Sequence, residues 1–154
     1  MQKNIVHHNV ELKSFNSWKV GGRAELFLIC DNIDKLASYI KTKKIKPPIT
    51  YVGLGSNLLI RDGGVKGTII VMHGGLNNIN RDGKFLYAEA GVSCSKLSKF
   101  AAKEGFNQSA FFAGIPGTIG GALAMNAGCY GSETWEYVEK VLMINLNGDQ
   151  IIRS

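Results

Sequence analysis

The sixteen residues from Ala113 to Gly128, AGIPGTIGGALAMNAG, constrain this chain more than any other stretch. Glycines at 114, 117, 120 and 121, with Pro116 stiffening the entry, describe a loop running into a helix start. Such a backbone can lie against a flat or anionic ligand. Thr118 is its side-chain donor. The same small residues also suit close packing of a helix on its neighbours, and on this stretch alone the two readings stand level.

A second glycine turn, Gly53-Leu54-Gly55-Ser56-Asn57, follows the β-type run Ile49 to Val52 and continues into Leu58. Backbone N–H groups in a turn of this kind converge on one concavity, and glycines let a phosphate approach closely. Ser56 and Asn57 add side-chain donors. No lysine follows as in a Walker loop, and the third glycine of a dinucleotide GxGxxG is missing. A lone motif of this type is more often a plain turn. Two glycine loops, each read as following a β-type segment, favour a shared nucleotide-like ligand. The chain's 19 glycines, about 12% against an average near 7%, are thereby partly explained, and the three prolines show no repeat of a collagen or low-complexity kind.

With 154 residues and 45% apolar content the chain can form one core or two small subdomains. Ala24 to Cys30 and Thr68 to Met72 read as further buried strands. Between them Ile33, Leu36, Ala37 and Ile40 recur at helical spacing after the candidate cap Asp31, with Pro47 and Pro48 as the stop. Beyond Gly74-Gly75 the pattern changes: Asn80-Arg81-Asp82-Gly83 reads as a hairpin turn into Lys84 to Glu89. A short helix through Leu97, Phe100, Ala101 and Glu104 then ends at Gly105, with Ser93 and Ser95 as capping residues. A final pair, Val138 to Leu146 and Gln150 to Arg153, flanks Asn147-Gly148, and its second strand stops at the chain end as if cut short. The boundary at Gly74-Gly75 separates subdomains 1–74 and 75–154.

The net charge is +6, with all the excess in residues 1–75, where 11 Lys and Arg face 5 Asp and Glu. Much of it is Lys41, Lys43, Lys44 and Lys46, placed to meet a helix C-terminal dipole, and no aromatic residues alternate with them as base-stacking platforms. A nucleic-acid partner is therefore not expected. The apolar runs are too short for a membrane span, and Met1 to Ser14 carries no apolar signal-peptide core. Cys30, Cys94 and Cys129 are widely spaced and odd in number, which reads as a reduced, cytoplasmic chain. With His7, His8 and His73 they form no metal-ligand spacing, so no metal is expected; His7 and His8 read as exposed residues of a mobile terminus.

The order and spacing of several blocks resemble the flavin-dependent UDP-N-acetylenolpyruvoylglucosamine reductases of bacterial peptidoglycan synthesis. These are Asn16-Ser17 with Gly21 to Ala24, Gly53-x-Gly55-Ser56-Asn57-Leu58 with Asp62-Gly63-Gly64-x-x-Gly67, Ala90-Gly91, Ala113 to Gly121, and Met125 to Gly131 with Glu133. The resemblance implies an α+β, two-subdomain FAD-binding fold of the PCMH/vanillyl-alcohol-oxidase type, without the C-terminal substrate domain. The second subdomain, 75–154, would be incomplete at its C-terminus. It implies FAD as bound cofactor, NADPH as hydride donor and a UDP-sugar enolpyruvate as substrate, reduced to UDP-N-acetylmuramate. Cofactor contacts would come from Gly53, Gly55, Ser56, Asn57, Leu58, Gly91, Ala113, Gly114, Pro116, Gly117, Thr118, Gly120, Gly121 and Asn126. The family's catalytic arginine, serine and glutamate fall beyond Ser154, so no catalytic residue is assigned and the chain alone is expected to be inactive. Departures from the family pattern are Ser17 for threonine, Ala110 for a common glutamate and Cys129 for alanine. Another flavin oxidoreductase of the same fold, or a non-catalytic nucleotide-binding module, is the alternative.

Overall fold

A computed structural model describes Lys3 and residues 5–154. Its first unit is a four-stranded sheet in the order β1-β2-β4-β3: β1 (His7–Glu11), β2 (Arg23–Ile29), β3 (Ile49–Val52) and β4 (Val65–Val71). β1 runs antiparallel to β2, whereas β2 and β3 both run parallel to β4. Parallel strands need a crossover, and α1 (Ile33–Lys41) supplies it between β2 and β3. The near-continuous apolar runs of β2 and β4 follow from burial on both faces, since successive side chains alternate between them. Phe27, Ile69 and Val71 pack with Val10, Leu12, Val52 and Ile60 on one face. Leu28 and Ile70 pack with Leu36 and Ile40 of α1 on the other.

The second core lies around α2 (Cys94–Lys103): Val92, Leu97, Phe111, Phe112, Ile115, Ile119 and Ala122, roofed by Ile79, Leu86 and Ala88. The last three belong to the antiparallel hairpin of β5 (Ile79–Asp82) and β6 (Phe85–Ala88). A 3-10 stretch, Asn107–Gly114, leads through Pro116 into the short α3 (Ile119–Met125). Beyond it come a small hairpin of β7 (Gly128–Cys129) and β8 (Ser132–Glu133), a 3-10 turn at Thr134–Tyr137, and the pair β9 (Val141–Ile144) and β10 (Gln150–Arg153). That last pair packs back on α1. Gln150 Nε2 donates to Asp34 Oδ1 at 2.8 Å, Lys41 pairs with Asp149 at 3.3 Å, and Ile144 reaches the α1 core.

Several sequence expectations shift when tertiary contacts are in place. His7 and His8 are not in a mobile terminus, because the apolar face of β2 recruits them as an edge strand paired with Phe27 and Leu26. The cap of α1 is Asn32 rather than Asp31. Its side chain accepts from Lys35 N at 2.8 Å, a bond that only the residue directly preceding the helix can make. α1 ends at Lys41, several residues before Pro47, so only Lys41 of the four lysines occupies its last turn. The β5–β6 turn falls at Gly83-Lys84, since Asn80 to Asp82 pair with Phe85 to Tyr87. Ser93, and not Ser95, caps α2, accepting from Lys96 N at 3.2 Å. The second glycine stretch follows a 3-10 segment rather than a strand, and β9 is shorter than the expected Val138 to Leu146 because only Val141–Ile144 pair with β10.

Candidate functional site

The two glycine loops, some sixty residues apart in sequence, meet at one point: a Cβ on Gly53 would overlap Thr118 Oγ1. The first loop emerges from the C-terminal end of β3, where parallel sheets commonly present ligand-binding turns. It rests on Phe15 to Ser17. Ser17 N donates to Gly55 O at 3.1 Å, and Gly55, with φ +70°, is buried so closely that a side chain there would overlap the Phe15 carbonyl. Asn16 braces this support from below. Buried itself, it donates from Nδ2 to the carbonyls of Leu12 and Val20, both at 2.9 Å.

None of the amides from Gly53 to Asn57 donates a hydrogen bond among the described residues. Backbone donors left in this state need water or a ligand, and consecutive N–H groups in a glycine turn form an anion cradle. The Ser56 and Asn57 side chains are exposed and likewise unpartnered among the described residues. Leu58 turns inward onto the sheet core and anchors the loop's far end.

The second loop is built differently. Its amides are largely used within the protein: Gly117 N donates to Ile115 O, Ile119 N to Val92 O at 2.8 Å and Gly120 N to Ala90 O at 2.9 Å. Cys94 N donates to Gly117 O at 2.9 Å, so the segment Ala90 to Cys94 and the loop hold each other as a short ladder. Thr118 is 1% exposed and caps α3, its Oγ1 accepting from Gly121 N at 3.3 Å. Its own amide has no hydrogen-bond partner among the described residues.

The glycines of this loop divide accordingly. Gly114 faces Cys129 and Tyr130 too closely for a side chain, and a Cβ on Gly120 would lie 3.0 Å from that of Ala90. Gly91 is pressed between the carbonyls of Met72 and Leu76, where the two cores adjoin. At Gly91 the neighbours are backbone and leave no room for a side chain, whereas at Gly114 and Gly120 the protein packs closely against the glycine. At Gly117 and Gly121 a Cβ would fit at ordinary contact distance instead, 3.7 Å from Ile115 and 3.5 Å from Thr118 Oγ1. Ala113 and Pro116 are exposed beside them. Asn126, in the left-handed region at φ +44°, directs its side chain to the β7–β8 hairpin rather than to the loops.

Sequence reasoning placed Asn16 and Ala90 within family blocks and Ser93 at a helix cap, without their part in supporting the two loops. Each acts through backbone geometry or a single buried amide, and neither leaves a periodic signal. Two surface concavities lie elsewhere, about 600 Å³ between α1 and the β9–β10 pair and about 660 Å³ beside Asn9, Lys13 and Arg23. Neither includes the glycine loops. Burial raises the thiols of Cys30 and Cys94 to about 11, which removes both as nucleophiles near neutral pH. Among the described residues no cluster of His, Cys, Asp or Glu forms a metal site, and no helix is long and apolar enough to cross a membrane.

The model of the FAD-binding domain family matches residues 24–153, from β2 to β10 and through both glycine loops. The chain belongs to that family. Its cofactor is FAD. This FAD-binding domain is 44% identical over 147 residues to the UDP-N-acetylenolpyruvoylglucosamine reductase of Nitrosospira multiformis, covering 93% of this chain and 42% of that protein. The enzyme of the same name from Nitrosococcus oceani is 45% identical, with 96% and 50% covered. In solved structures, the UDP-N-acetylenolpyruvylglucosamine reductase of Thermus caldophilus superposes with a TM-score of 0.79 at 28% identity, covering 97% of this chain and 52% of that one. The α+β fold expected from the resemblance is thus the fold observed. The chain spans about half the length of the curated relatives it matches.

The residues present fit FAD. The pyrophosphate of that cofactor is a dianion, and the Gly53 to Asn57 turn offers amides with no hydrogen-bond acceptor among the described residues.

Proposed function

We propose that this chain is the FAD-binding part of an NADPH-dependent reductase that converts UDP-N-acetylglucosamine-enolpyruvate to UDP-N-acetylmuramate in peptidoglycan synthesis. Bound FAD supplies the hydride relay between the nicotinamide and the enolpyruvyl carbon. The observation that carries the reading is the run of amides from Gly53 to Asn57, unpartnered among the described residues, beside the buried Thr118. Those amides, with the Ser56 and Asn57 side chains, hold the pyrophosphate. The Thr118 amide and the open backbone at Gly117 and Gly121 border the cofactor, with Ala113 and Pro116 beside them. Gly91, Gly114, Gly120 and Asn126 contribute by shaping that border from behind, and Leu58 pins the first loop to the sheet. The protein's own work in this half is to orient FAD and to exclude water from its phosphates.

The division into FAD-binding subdomains 1–74 and 75–154 is part of the same reading. Separate apolar cores around β4 and around α2 support it. A cytoplasmic location accords with the three cysteines, all unpaired in the structure. The nicotinamide, the UDP-sugar and the protonating side chain fall to the half of the enzyme that these residues do not include.

The decisive experiment reconstitutes the purified, folded chain with FAD and records its visible spectrum. Retention of a flavin band at about 450 nm after desalting is expected, without NADPH-driven reduction of the UDP-sugar substrate by the chain alone. A folded chain that retains no flavin overturns the proposal.

A further inference from the structure

α3 has a contradiction built into it. Its first turn carries Gly120 and Gly121, the weakest helix formers besides proline, and it is only seven residues long. Isolated helices of that length do not persist, so something outside α3 must hold it. The N-terminal end is held by Thr118 and the Ala90 to Cys94 segment, already described. The C-terminal end turns out through Asn126 in the left-handed region, with Ala127 N donating to Ala122 O at 2.9 Å and Asn126 N reaching Leu123 O at 3.5 Å.

The segment Glu133 to Trp135 holds that turn from outside. Trp135 Nε1 donates to Leu123 O at 3.0 Å, giving that terminal carbonyl a good partner. Asn126 then bridges two residues of the segment: its Nδ2 donates to Glu133 Oε2 at 2.7 Å, and its Oδ1 accepts from Trp135 N at 3.1 Å. Thr134, 1% exposed, donates from both N and Oγ1 to Ala127 O, at 3.1 and 2.7 Å. The segment is itself moored to the second core, where the Tyr137 ring lies 5.4 Å from that of Phe111.

We propose that Asn126, Glu133 and Trp135 form a clasp that fixes the tail of α3 and so positions Thr118 against the Gly53 turn for FAD. They are positioning residues, with Glu133 and Trp135 acting through α3. The clasp offsets the weakness that the glycines introduce at the helix start, and the ligand side of the helix keeps its open backbone. The inference rests on the FAD reading above.

The test is FAD titration of the 154-residue chain, followed by quenching of flavin fluorescence, with apo-state melting recorded in parallel. Glu133→Ala is expected to weaken FAD binding about fivefold and Trp135→Phe about threefold, in the range of couplings carried through a packed element. Glu133→Gln is expected to bind FAD within about twofold of the unaltered chain, because its amide oxygen still accepts from Asn126. Rescue by glutamine separates positioning from a general loss of fold. If Glu133→Ala does not fold, Glu133→Gln and Trp135→Phe remain the deciding pair. Unaltered FAD affinity in Trp135→Phe and Glu133→Ala, or a glutamine variant as weak as alanine, overturns the clasp while leaving the FAD reading intact. Failure of the unaltered chain to bind FAD overturns that reading instead, and the clasp with it.

Discussion

Contact between Gly53 and Thr118 makes the two loops one site, and a double-mutant cycle measures it directly. Gly53 has an ordinary backbone conformation, so Gly53→Ala adds only a methyl group, which lands on Thr118 Oγ1 and 3.3 Å from Thr118 Cβ and Cγ2. Overpacking of this kind costs about 2 kcal/mol. Thr118→Ala removes the bond to Gly121 N, about 1 kcal/mol for a helix cap, and one buried methyl, about 1 kcal/mol more. Independent effects would therefore sum to about 4 kcal/mol. In the double variant the added methyl occupies space vacated by the threonine, and the loss is expected to fall to about 2 to 3 kcal/mol, a coupling of at least about 1 kcal/mol. Urea unfolding without FAD, followed by far-UV circular dichroism, resolves this as a shift of roughly half to one molar in midpoint. Additivity within about 0.4 kcal/mol would refute the contact and the single site built on it.

Two neighbouring glycines of α3 should respond in opposite ways. Gly120→Leu drives a side chain into Ala90 and is expected to lower apo stability by about 2 kcal/mol. Gly121→Ala places its methyl at ordinary contact distance, 3.5 Å from Thr118 Oγ1, and should leave the melting temperature unchanged or raise it, while weakening FAD retention; equal destabilisation by both would remove the distinction between the two glycines. The thiols give a third check. At pH 8 Ellman's reagent should label only Cys129 in the folded chain, with Cys30 and Cys94 reacting on unfolding. Burial raises both buried thiols from 9.0 to about 11 in the folded state, so the unfolded chain loses those protons first. Stability should thus be insensitive to these groups below pH 9 and fall as pH rises from 9 towards 11. Stability that rises across that interval would contradict the burial of both residues.

Much of the architecture was readable along the chain because the relevant forces are local. The Ile49–Val52 strand, the 3.6-residue spacing from Ile33 to Ile40, the stop at Gly105 and the final β pair around Asn147-Gly148 all follow from periodicity and turn chemistry. The elements misplaced were those whose state depends on a distant partner. His7 and His8 have no strand signal until β2 offers an edge, and the cap of α1 depends on one side chain's reach.

The sequence by itself determined that two glycine loops exist and which residue types they offer to an anionic, planar ligand. Only the tertiary structure decided what stands around each glycine. At Gly53 and Gly55 the amides have no acceptor among the described residues, although the Cα positions are packed on Thr118 and Phe15. At Gly91, Gly114 and Gly120 the absent side chain makes room for protein, and at Gly117 and Gly121 a methyl would fit at ordinary contact distance. The physical reason is that glycine's value to a chain is the volume it leaves empty. What fills that volume is set by residues such as Ala90, Cys129 and Thr118, brought there by the fold.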